Sequence, residues 1–158
     1  MQIESIVNIK KELKHLPKEE LLELCLRLGK FKKENKALLT YLLYEAHDED
    51  GYVASVKTSL DALFEGINTD SYFYMKKTIR KILRQIRIFS RYSNKKTTEV
   101  ELLLYFCERL NELKPSIHQN ATLKNLYDRQ ILSLKKKIST LHEDLQYDYT
   151  LQLNALKI

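Results

Sequence analysis

A chain of 158 residues with 44% hydrophobic content suits a single hydrophobic core. Its 3 glycines and 2 prolines are too few for hairpin-rich sheets or glycine-lined phosphate loops, and no apolar run approaches the ~20 residues of a membrane span. The formal net charge of +6 is unevenly placed: residues 71–98 carry 9 basic and no acidic side chains, whereas residues 36–70 carry 2 basic and 7 acidic ones.

The remaining composition is rich in Leu, Lys, Glu and Ile, which favours helix. A first helix is expected from about Ile3 to His15, where Ile3, Ile6, Val7 and Leu13 recur at helical spacing. Pro17 breaks it and suits the first turn of the next helix, with Glu19 and Glu20 near that helix's positive end. The second helix is expected to reach Leu28 and to be capped by Gly29. Leu21, Leu22, Leu24, Cys25, Leu26 and Leu28 cover most of its circumference, so it is expected to be buried on two sides.

A third helix over about Lys33 to His47, with Leu38, Leu39, Tyr41, Leu42, Leu43 and Tyr44, also reads as central. Asp48 can cap a fourth helix, about Glu49 to Glu65, whose Val53, Val56, Leu60, Leu63 and Phe64 form one stripe. Residues 66–70 make a turn, and Asp70 or Ser71 caps a fifth helix running to about Ser93. Thr97 or Thr98 caps a sixth, about Glu99 to Leu113, and Thr98 with Glu101 has capping-box spacing.

The last helix is expected to be long, from about Thr122 to Leu156. Tyr127, Ile131, Leu134, Ile138, Leu141 and Leu145 are spaced 4, 3, 4, 3 and 4 apart, as in a heptad seam. That seam either packs along its own domain or joins two copies as a homodimer. The fold expected is all-α: a helical bundle or short α-solenoid of about six or seven helices. Its domains are a helical core over residues 1–114 and a C-terminal amphipathic helix over residues 119–158.

Few features point to chemistry. Reading the acidic turn at residues 47–51 as a calcium loop puts Ala46 and Lys57 where oxygen ligands are required. A looser metal site would use Glu45, His47 and Asp50, while capping of the fourth helix explains the same acids. His15, His47, His118 and His142 lack zinc spacing to one another or to a cysteine. No nucleophile elbow, glycine-rich loop or paired-histidine metal motif is present. Cys25 and Cys107 lie among leucines, where burial suppresses the thiolate. The expectation is no enzyme, no cofactor and no metal.

The fifth helix carries the clearest signal. Counting about 100° per residue, Lys76, Lys77, Arg80, Lys81, Arg84, Arg87 and Arg91 fall within an arc of roughly 140°, opposite Met75, Ile79, Ile82, Leu83 and Ile86. Lys95 and Lys96 extend the basic stripe. Like charges at this spacing repel, so a counter-charge is expected. It can come from Asp61, Glu65 and the 45–50 turn on the fourth helix. It can come from nucleic acid, with stacking from Tyr72, Phe73, Tyr74, Phe89 and Tyr92. It can also come from an acidic protein surface. Membrane docking is disfavoured because the apolar face should be consumed by the core.

The segment Ile9 to Leu24, with Pro17-Lys18-Glu19-Glu20-Leu21 at its centre, followed by Lys33-Glu34-Asn35-Lys36, resembles a family of uncharacterised all-helical bacterial proteins. The likeness extends to about residue 114. It implies an all-α fold and assigns no activity and no functional residue. The opening also resembles the helix-loop-helix of SAP nucleic-acid modules, without their glycine-containing turn.

The sequence therefore reads first as a cytoplasmic, non-enzymatic interaction or scaffold protein whose basic helix binds a protein partner. Nucleic-acid binding through the same helix is the alternative, and the C-terminal helix is a candidate homodimer seam.

Overall fold

The computed structural model describes residues 1–156, and among them there are helices and no strands. The chain divides into two compact units, Met1–Tyr44 and the segment from Glu45 onward. This is not a division near residue 114. The segment from residue 119 packs with residues 45–114, and the N-terminal helices stand as the separate unit.

The N-terminal unit holds α1 (Ile6–Leu13), α2 (Lys18–Phe31) and α3 (Lys33–Thr40). Ser5 caps α1 by accepting the Asn8 N–H at 3.2 Å. Pro17 stands at the N-cap of α2, with Glu19 and Glu20 in its first turn. Gly29 does not end α2. The helix continues to Phe31, and Gly29 is buried where α2 meets α3. A Cβ at Gly29 would lie 2.8 Å from the Leu39 side chain, so the missing side chain lets the two helices close together. The Asn35 amide bridges the turn by donating to the Leu28 carbonyl at 2.7 Å. A π-helical turn over Tyr41–Glu45 follows α3.

This unit does not bury its leucines as expected. Leu22, Leu24, Leu26 and Leu28 of α2 are exposed, as are Leu38, Leu42, Leu43 and Tyr44. So is Cys25. A unit of this size has too little interior to enclose a core of its own. Cys107 is buried in the second unit, and desolvation pushes its thiol up to about 12. Under native conditions one thiol, Cys25, is therefore expected to react with Ellman's reagent, and the second only after denaturant is added. Rapid labelling of both in the native protein would contradict this placement.

The second unit holds α4 (Glu49–Glu65), α5 (Tyr72–Ser93), α6 (Lys96–Glu112), α7 (Ala121–Ile138) and α8 (Glu143–Ala155), with a 3-10 turn at Ile117–Gln119. Asp48 caps α4 by accepting the Gly51 N–H at 3.0 Å. Val53, Val56, Leu60 and Phe64 are buried as a stripe. The centre of the unit is α6, which packs against α4, α5, α7 and α8. Its consecutive Leu102, Leu103 and Leu104 are all buried, with Phe106, Cys107 and Leu110, because it meets neighbours on every side. Neither Thr97 nor Thr98 caps it. The helix starts at Lys96 behind Lys95, and Thr98 sits in its first turn, donating to Glu49.

The expected long C-terminal helix is two helices. At the end of α7, the hydroxyls of Ser139 and Thr140 donate to the carbonyls of Lys136 and Lys137, an alternative to continuing the helix. His142 then caps α8. The Gln146 amide donates to the Leu141 carbonyl at 2.7 Å and to the Ser139 carbonyl at 3.3 Å, closing the corner. The proposed homodimer seam lies inside the molecule. Tyr127, Ile131, Leu134 and Ile138 are all in the core of the second unit, Leu141 is half-buried at the corner, and Leu145 is partly exposed on α8.

Candidate polyanion interface

The residues of α5 sort by helical period. Met75, Ile79, Ile82 and Ile86 are fully buried and Leu83 nearly so, which fixes the rotation of the helix about its axis. The opposite face must then meet solvent. Lys77, Arg80, Lys81, Arg84, Arg87, Arg91 and Lys96 are exposed, and Lys76 is half-exposed at the margin. Ser71 caps the start of the helix, and Asn94, at φ 55°, ends it in the left-handed conformation. From Lys76 to Arg91 the stripe is about 22 Å long at ~1.5 Å per residue.

Among the described residues, none of Lys76, Lys77, Arg80, Lys81, Arg84, Arg87, Arg91 and Lys96 makes an ion pair. Lys95 alone of the predicted set does, to Glu49 at 3.4 Å. Asp61 and Glu65 of α4, named as candidate counter-charges, form no ion pair with the α5 stripe among the described residues. Asp61 lies 3.1 Å from Arg109 and accepts the Tyr105 hydroxyl, both on α6. Glu49 accepts the hydroxyls of Ser93 and Thr98. Glu65 is exposed, and Asp48 is occupied as a cap.

The aromatic side chains divide into two sets. Tyr72 donates its hydroxyl to the Ser116 carbonyl at 2.8 Å, while Phe89 and Tyr92 are half-buried against each other. Phe73 and Tyr74 are open, at 74% and 49% exposure, and meet edge-to-face with centroids 5.5 Å apart. At about 100° per residue, Phe73 falls in the middle of the basic arc and Tyr74 at its edge. The sequence pattern places these rings on the helix but does not tell which are consumed by tertiary contacts.

A concavity of about 350 Å³ lies among α4, α6 and α8. Several of its polar groups engage one another. The Tyr149 hydroxyl donates to Glu101 at 2.9 Å, and Lys57 lies 5.3 Å from the Tyr105 ring centre. Burial followed by the Asp61 hydrogen bond raises Tyr105 from its ordinary 10.0 to about 12, so it stays neutral. These groups tie α4, α6 and α8 together. Among the described residues no group of three His, Cys, Asp or Glu side chains is placed to hold a metal ion, and no helix is long and apolar enough to cross a membrane. No protein-family model, no curated protein and no solved structure matches the chain.

Proposed function

We propose that this protein binds single-stranded nucleic acid, without catalysing a reaction, through the basic face of α5. One observation carries the reading: the α5 cations are solvent-exposed and have no carboxylate partner among the described residues. A polyanion removes the repulsion between neighbouring cations and releases condensed counterions as it binds. The arginines present planar forks suited to phosphate oxygens. The exposed Phe73 and Tyr74 favour nucleic acid over an acidic protein, since unpaired bases stack on open rings and acidic side chains do not. The two cysteines are not disulfide-bonded, which suits work in a reducing cytoplasm.

The test is fluorescence anisotropy of a labelled 20-nucleotide single strand across a salt series. With about five phosphate contacts, log K is expected to fall with log salt at a slope near −3.5, so affinity drops roughly 100-fold between 50 and 200 mM. No binding at the lowest salt removes this reading and leaves an acidic protein as the partner of the same face.

A second reading concerns the N-terminal unit, where protein interaction replaces the C-terminal seam. The exposed apolar side chains of α2, α3 and the following turn, Leu26, Leu28, Leu42 and Leu43 among them, leave apolar surface that favours association. We infer that a second copy of the chain covers this surface. Sedimentation at 100 μM is expected to report a dimer, reduced to monomer by Leu26→Glu with Leu28→Glu. A monomeric parent protein at that concentration would rule out self-association here.

A further inference from the structure

We infer that a cleft between the end of α5 and the start of α6 binds a phosphate monoester. The cleft, of about 340 Å³, is flanked by Arg87, Arg91, Lys95 and Lys96 and lined also by Ser90 and Asn94. Ser90 is only 7% exposed, and its Oγ has no hydrogen-bond partner. By contrast, the helical hydroxyls of Thr40, Ser55, Thr58 and Ser59 each donate to a carbonyl three or four residues earlier. A buried hydroxyl left unsatisfied costs stability, which a ligand oxygen in the cleft would recover.

The second wall is the N-terminus of α6, a helix of 17 residues. Lys95 at its N-cap supplies no side-chain acceptor, and the first amide bonded within the helix end is that of Glu99, to the Lys95 carbonyl at 3.2 Å. The amides of the first turn thus remain as donors at the positive end of the helix dipole. The cleft is thus lined on one wall by the arginines and Ser90 of α5 and on the other by the start of α6. That arrangement suits a tetrahedral dianion with three free oxygens better than a planar carboxylate, which has two.

One carboxylate lines the cleft, Glu99, and it is held 2.9 Å from Lys137 on α7. Glu49, which pairs with Lys95, is likewise occupied by the Ser93 and Thr98 hydroxyls. Lys95 is balanced by Glu49, so among the described residues three unpaired cations, Arg87, Arg91 and Lys96, face one partnered carboxylate at the cleft.

The site shares its basic residues with the proposed nucleic-acid face, but its affinity for a phosphate monoester does not depend on that reading. The ligand could be the terminal phosphate of a strand or a small phosphorylated molecule. The full chain, labelled with nitrogen-15, is titrated with inorganic phosphate at constant ionic strength. Saturable amide shifts are expected over residues 90–99. Ser90→Ala should weaken the affinity about tenfold, Arg91→Gln by a similar factor, and Lys76→Gln not at all. Removing an unsatisfied buried hydroxyl should leave the fold intact, so a loss in Ser90→Ala reports binding. Shifts that never saturate overturn the inference, as does Ser90→Ala binding like the parent, or Lys76→Gln losing as much as Arg91→Gln.

Oligonucleotides with a 5′-phosphate and a 5′-hydroxyl then identify the source. A preference for the phosphorylated strand that disappears in Ser90→Ala places a strand end in the cleft. Equal affinity for both strands beside saturable phosphate binding points to a small phosphorylated ligand. Strands that bind while phosphate does not saturate sink the cleft and spare the proposed function. Saturable phosphate binding with no strand binding does the reverse.

Discussion

Replacing Arg80, Arg84 and Arg87 together by glutamine is expected to weaken single-strand binding by roughly 100-fold or more at about 50 mM salt, since each lost phosphate contact forfeits about 0.7 of a released counterion. The slope of log K against log salt should become shallower by about 2 for the same reason. Glutamine keeps the length and helix propensity of the side chain and removes only the charge. The three arginines are exposed and bond no carboxylate among the described residues. Relief of like-charge repulsion along the helix should raise stability by a few tenths of a kcal/mol, so the melting temperature should hold or rise slightly. Anisotropy and thermal melting of the same preparation check both halves. Unchanged affinity, or a melting temperature lowered by several degrees, would show that the charges serve something other than a polyanion.

Leu134→Ala is expected to destabilise the protein by about 2–5 kcal/mol, a large part of the roughly 5–15 kcal/mol that holds a domain together. Leu134 is 0% exposed, and its neighbours along α7, Ile131 and Ile138, are buried in the same core. Truncation leaves a cavity that tightly packed helices fill only in part. Urea unfolding followed by circular dichroism measures the loss. If Leu134 lay on a dimer seam, the damage would appear as dissociation, and the difference from the parent protein would itself change with protein concentration. A core position gives the same loss of stability at every concentration, and that concentration series separates the two.

Much of the second unit was legible in the residues. Asp48 and Ser71 were readable as caps, and the α4 stripe and the two faces of α5 follow from helical spacing alone. The heptad spacing of Tyr127, Ile131, Leu134 and Ile138 was also correctly apolar. Spacing identifies a face that must be covered but not what covers it, and here α6 of the same chain does so. The break after Ile138 carries no glycine or proline. It depends on the Ser139 and Thr140 hydroxyls and on Gln146 reaching back across the corner, a combination that is visible only once α8 has turned.

The leucines of α2 misled for a related reason. An apolar helix is buried only if other elements surround it, and a unit as small as Met1–Tyr44 supplies too few of them. The placement of the α5 counter-charge was equally open. Asp61 and Glu49 stand in sequence next to the basic helix, yet α6 lies beside α4 and takes Asp61 through Arg109 and Tyr105. Of the cleft, the sequence marked Arg87, Arg91, Lys95 and Lys96 but not Ser90, because an unpartnered hydroxyl is defined by what its neighbours fail to provide.

The sequence by itself determined the helices, their amphipathic faces and the position of the positive charge, because those depend on local propensity and on the 3.6-residue period. The tertiary structure alone decided which apolar faces form a core, which carboxylates are used up inside the molecule and where the chain turns back at residue 139. Those outcomes depend on which helix becomes whose neighbour, a long-range property that no local spacing encodes.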